Sequence, residues 1–177
     1  MLQTTTLSKI NITYAVKFLT LLTLATAAPL VGLHSQWLTG PIVNMALILA
    51  VYLLGVRGAL LIGILPSTIA LGTGLLPAVL APMIPFIIIS NTLLILVIDF
   101  FKKLSGAELD IKNYGIGLFF AAGIKYLFLF VTSGVVINLL LQQSLAIQVA
   151  QLMSWPQFFT AVIGGILAWG SLKLLNR

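Results

Sequence analysis

The chain has 177 residues, of which 60% are hydrophobic and only 7% charged, and its mean hydropathy is +1.19. A small domain in water cannot hide that much apolar side chain, because roughly half of its surface would still face solvent, so a soluble fold is excluded. Nine Lys and Arg against three Asp and Glu give a net charge of +6, and without cysteine there is neither a disulfide nor a thiolate metal site.

A spanning helix needs about 20 apolar residues to cross ~30 Å of hydrocarbon, which limits the chain to about seven crossings. The polar–apolar alternation of a membrane barrel is absent. The expected fold is therefore all-α: a polytopic membrane protein with about six transmembrane helices in one compact bundle, a single domain over 1–177. Apolar runs bounded by Gly, Pro or charge fall at 14–33, 41–56, 58–76, 78–101, 115–139 and 157–175. The first follows basic Lys9, contains Lys17 and carries Ala25-Thr26-Ala27, a small-x-small pattern of the kind cleaved in signal peptides. Pro29 and the apolar residues through Leu33 extend it to spanning length, so a retained span is expected. The second run is short for a crossing. The third contains Pro66 and Gly72-Thr73-Gly74, which predict a kink or a partly re-entrant segment.

The basic residues divide between the two sides of such a bundle. Lys9, Arg57, Lys102, Lys103, Lys112, Lys173 and Arg177 fall in or beside connections on one side, whereas 34–40, 77 and 140–156 hold no Lys or Arg. Positive charge marks the cytoplasmic side, so both termini are expected there, in a multi-pass protein of the cell membrane. The +6 then reads as topology, and no nucleic-acid partner is expected.

Ionisable side chains at membrane depth are costly and are functional candidates for that reason. Lys125 lies about ten residues into the fifth run, or roughly 15 Å deep, and Asn91 lies about 20 Å into the fourth. A functional Lys125 would hold an anionic group such as a carboxylate; the structural alternatives are snorkelling to an interface or pairing with Asp99. Asn44, Asn138 and Tyr126 add donors and acceptors, with interhelical hydrogen bonding as their structural alternative. Lys17 and Asp99 read as interfacial. His34 and Trp37 are candidates to cap a ligand from outside, although Trp37 and Trp155 also suit an aromatic belt. Gln142, Gln143, Gln148 and Gln151 make the last outer connection amide-rich, suggesting an interfacial helix or a lid. Ala46 with Ala50, Ala59 with Gly63, Ala161 with Gly165, and Gly164 with Ala168 have the small-residue spacing of close helix contacts, within the bundle or with a partner.

There is no phosphate-binding glycine loop, no His-Glu-x-x-His, no Gly-x-Ser-x-Gly and no pair of intramembrane carboxylates in the sequence. An enzyme is not expected, and neither is a metal or other cofactor. A lipid-active enzyme would need a catalytic constellation that is not found.

Six spans with a basic cytoplasmic side resemble the substrate-binding (S) components of energy-coupling factor (ECF) transporters, and the strings Gly40-Pro41-Ile42-Val43-Asn44, Leu75-Leu76-Pro77 and Ala81-Pro82-Met83-Ile84-Pro85-Phe86 followed by Asn91 are similar to small uncharacterised prokaryotic membrane proteins grouped near that class. The resemblance implies a bundle that captures a small vitamin-like molecule from outside and docks on a transmembrane coupling protein driven by an ATPase pair. In that reading the substrate-binding candidates are the polar residues at membrane depth, Lys125, Asn91, Asn44, Tyr126 and Asn138, with His34 and Trp37 at the gate and lipids around the bundle. The chain departs from that class in one respect: its first span offers Thr23-xxx-Ala27 where the class carries Ala-xxx-Ala, and the Ala46/Ala50 pair is on the second. It also lacks the N-terminal His of the metal-specific members, so the resemblance implies an organic ligand. A structural membrane protein that scaffolds an envelope or cell-shape complex is the alternative from a different class.

Overall fold

Each apolar run is helical over its described residues apart from the turn at Leu54, the fourth opening with a 3-10 turn. A computed structural model describes residues 12–31, 35–72, 78–106, 110–140 and 149–175. They form α1 (Ile12–Val31), α2 (Gln36–Leu53), α3 (Gly55–Gly72), a 3-10 turn (Ala78–Met83), α4 (Ile84–Leu104), α5 (Ile111–Leu140) and α6 (Pro156–Leu175), with a short helical stretch over 149–152. No strand occurs among the described residues. Five stretches are long and apolar enough to cross a membrane: Ile12–Pro29, Gln36–Leu53, Ala81–Leu104, Ile111–Asn138 and Val149–Leu175; Gly55–Ile69 is apolar but shorter.

Two boundaries differ from the sequence expectation. The second helix starts at Gln36 rather than 41, so it is not short. Pro41 lies inside α2, where it gives no N–H to the carbonyl four residues earlier, and the first turn closes when Leu38 and Thr39 donate to Ser35 O at 3.1 and 3.0 Å. The fifth helix starts at Ile111 rather than 115, because both oxygens of the Asp110 carboxylate accept backbone N–H groups, from Lys112 and Asn113, each at 3.2 Å. That cap satisfies the orphan donors of a first turn too polar to register as an apolar run.

The turn between α2 and α3 is a single break. Leu54 N donates to Ala50 O at 2.9 Å, and Gly55 then takes φ +80°, a left-handed conformation that a side chain would strain. Lys102, at the end of α4, donates to Val51 O at 2.9 Å and lies 5.1 Å from the Tyr52 ring centroid. Its ammonium thus satisfies a carbonyl left open at the end of α2 and pins the ends of two helices together.

Helix α2 is the axis of the bundle, packed against α1, α3, α4 and α6, while α5 packs against α4 and α6. Small residues make the close approaches: Ala46, Ala50, Ala59, Ala161 and Ala168 are fully buried, and so are Gly164 and Gly165. This is the internal use of the small-residue pairs. At Gly164 a Cβ would fall 2.6 Å from Pro41 O, 2.8 Å from Asn44 Cβ and 2.9 Å from Met45 N, so backbone meets backbone where α2 and α6 touch.

Two apolar clusters result. The larger joins α1 to α6 around Leu47, Ile62, Leu94 and Leu118; the smaller gathers Met83, Leu129, Val136, Val149 and Met153 at the end where the 3-10 turn, the second half of α5 and the stretch before α6 meet. Replacing Gly164 by Val should overpack the α2–α6 contact at a cost of about 1–3 kcal/mol, read as a lowered melting temperature in detergent. Gly123→Ala, at a position with open space around it, is the control and should melt like the parent.

Candidate functional site

Polar side chains lie between the two apolar clusters. On α4, Phe86 and Ile87 belong to the smaller cluster and Leu94 and Ile95 to the larger, and buried Ser90 and Asn91 fall between them. On α5 the same sequence runs from Ala121 and Ala122 in the larger cluster through buried Lys125 to Leu129 in the smaller. Helix α2 places buried Asn44 just before its fully buried run from Ala46, and α6 places buried Thr160 just before Ala161.

The centre of this layer is the Lys125 ammonium. It donates to Asn44 Oδ1 at 2.6 Å and to Asn91 Oδ1 at 2.8 Å, and the three residues are only 4, 2 and 3% exposed, respectively. Asn91 Nδ2 donates in turn to Gly63 O on α3 at 3.4 Å. A Cβ at Gly63 would crowd Ile95 Cδ1 at 3.1 Å and lie in ordinary contact, 3.8 Å, with Asn91 Cβ. One ammonium therefore ties α5 to α2 and α4, and through Asn91 to α3. The hydroxyls of Ser90, Ser133 and Thr160 donate to carbonyls of their own helices, at Ile87, Phe130 and Gln157, which leaves the amides as the partners of the charge.

Among the described residues no carboxylate balances that charge. Asp99 pairs with Lys103 at 2.6 Å, one turn along α4, and Asp110 caps α5. Glu108, the third acidic residue, lies outside the described residues. Neither structural alternative for Lys125, pairing with Asp99 or snorkelling, is what the side chain does. Where Lys125 is protonated, the amide dipoles offset its charge only in part, so an anionic group would complement the layer.

The other candidates lie elsewhere. Tyr126 is half-buried against Phe130, with ring centroids 5.8 Å apart, and Asn138 is exposed about 20 Å further along α5 than Lys125. Trp37 is exposed at the start of α2, its ring 5.4 Å from Trp155, which meets Phe159 edge-on at 5.7 Å. Beside this aromatic group the Gln36 and Gln157 carboxamides both donate to Leu152 O, at 2.7 and 3.0 Å. Trp37 thus belongs to the bundle's end, about two turns from Asn44. His34, Gln142, Gln143 and Gln148 lie outside the described residues, while Gln151 is exposed. Gly63 and Thr160 were missed by sequence reasoning; the Ala59/Gly63 pair was the available signal for Gly63, and nothing distinguished Thr160 from other threonines.

Comparison with protein-family models, curated proteins and solved structures gives no match. No group of three or more His, Cys, Asp or Glu suited to a metal occurs among the described residues.

Removing either amide leaves the ammonium short of an acceptor. Asn44→Ala and Asn91→Ala should each destabilise the protein by about 1–3 kcal/mol, measured as a fall in melting temperature. The triple change Asn44→Leu, Asn91→Leu, Lys125→Met removes the charge together with its partners and should recover most of that loss.

Proposed function

We propose that this chain is the substrate-capture subunit of a prokaryotic ECF-type uptake transporter, a non-enzymatic six-span protein of the cell membrane with both termini in the cytoplasm. It binds a small vitamin-like molecule with an anionic group, taken from the outside, and hands it on by docking to a transmembrane coupling protein with an ATPase pair. The observation that carries the reading is the Lys125 ammonium, buried midway along the bundle, held by two neutral amides and without a carboxylate partner among the described residues. A purely structural lysine at that depth would bring large desolvation and no counterion, whereas a binding lysine receives its counterion with the ligand. The smaller apolar cluster lies between this layer and the α2 end that carries Trp37, which gives the site an apolar cover on the side assigned to the outside.

A scaffolding role is the second reading. It is favoured by an exposed groove between α4 and α5, lined by Leu96, Val97, Phe100, Phe101, Phe120 and Ile124, a surface that a partner helix would fit. A thermal-shift screen of the detergent-purified protein against a metabolite library separates the two. Capture predicts that a specific metabolite raises the melting temperature, whereas a scaffold responds to none. Lys125→Ala should lose the response to that metabolite; an unchanged affinity would remove Lys125 from the site.

Topology is tested independently in intact cells, and the absence of native cysteine makes the measurement clean. A cysteine introduced at Ser105 should be shielded from an impermeant thiol reagent, and one at Ser35 should be labelled.

A further inference from the structure

We infer that the Lys125 layer accepts one singly charged carboxylate and rejects phosphate esters; this deepens the capture reading and rests on it. The first ground is charge. Lys125 is the only charged residue of the layer among the described residues. The nearest cation along α4, Lys102, is about 16 Å from Asn91 by helical rise, and its ammonium is engaged with Val51 O and the Tyr52 ring. In a low-dielectric interior any excess charge is expensive, so a single positive charge is best balanced by a single negative one. A carboxylate supplies one negative charge. A phosphate monoester carries about −1.5 to −2 at neutral pH and would leave uncompensated charge in its place.

The second ground is the supply of donors. An ammonium has three N–H groups, and two are committed to Asn44 and Asn91, with no third acceptor within hydrogen-bond distance among the described residues. That leaves one strong donor for one ligand oxygen. The second carboxylate oxygen is served by a carboxamide N–H, since the Asn91 Nδ2 bond to Gly63 O is long at 3.4 Å and readily exchanged. The two amide oxygens on the ammonium belong to separate helices, α2 and α4, so a carboxylate that displaces either one loosens the tie between α5 and that helix. A lysine can bind phosphate as a point charge, but phosphate sites add further donors to it, such as an Arg fork or the open N–H groups of a helix start. The layer has neither: Arg57 is at the start of α3, and α2 begins about 12 Å along its axis from Asn44.

The test uses purified protein and matched probes that share a carbon frame and differ in head group: benzoate, benzamide and phenyl phosphate, and hexanoate, hexanamide and hexyl phosphate. Binding is followed by calorimetry and melting temperature. The expected result is that the carboxylate binds at least about tenfold more tightly than the amide and the phosphate of its set, and that Lys125→Met loses this preference. Asn91→Asp places a carboxylate on the ammonium from within; it should melt no lower than the parent and should no longer distinguish the head groups. A phosphate that binds as tightly as its carboxylate, or silence from every probe, overturns the inference. The capture reading falls separately, when the metabolite library yields no Lys125-dependent ligand.

Discussion

A positive charge held inside a bundle of apolar helices is the constraint around which this protein is organised. The Lys125 ammonium has no carboxylate partner among the described residues and is satisfied by two amide oxygens, at 2.6 and 2.8 Å, from helices on two sides. Each amide must be brought to hydrogen-bond distance by backbone packing, and the close approaches around α2 do this. Gly164 lets α6 lie directly on the turn that carries Asn44, and Gly63 on α3 offers its carbonyl to Asn91. The small residues of the bundle are thus tied to the polar layer as well as to packing, because lipid supplies no hydrophobic drive to hold the helices at that distance.

The other cations have different work. Lys102 is spent on the carbonyl end of α2, Lys103 on Asp99 one turn away, and Lys173 lies 4.6 Å from the Trp169 ring centroid. All three are at helix ends, where water or headgroups share the cost of the charge. They place and fasten helices. The layer around Lys125 separates the two apolar clusters, a larger one that joins all six helices and a smaller one at the other end of the bundle.

Much of this was legible in the sequence, because bilayer length and charge are one-dimensional signals. The apolar runs became helices, and the depths of Lys125 and Asn91 placed them at a common level, where they meet. What depth along a helix does not contain is direction. Tyr126 follows Lys125 directly but points about 100° away around the helix, toward Phe130, and Asn138 stays exposed near the helix end. Asn44 looked like one polar residue among several; only the packing of α2 at the bundle's axis makes it a partner of the charge. Helix ends were misjudged where polar residues start a helix, since Gln36 and Lys112 are invisible to a search for apolar runs, whereas the Ser35 carbonyl and the Asp110 carboxylate that close those turns are local hydrogen-bond acceptors.

Helix α5, at 30 residues, is about 45 Å long, well beyond the ~30 Å of hydrocarbon that a bilayer offers. A helix with that excess tilts, bends or thickens the surrounding lipid. Tilting a rod about its centre sweeps its ends through the membrane but leaves the middle at the same height. Lys125 is at the middle of α5. In a bilayer such a tilt would move Asn113 and Asn138 before it moved Lys125.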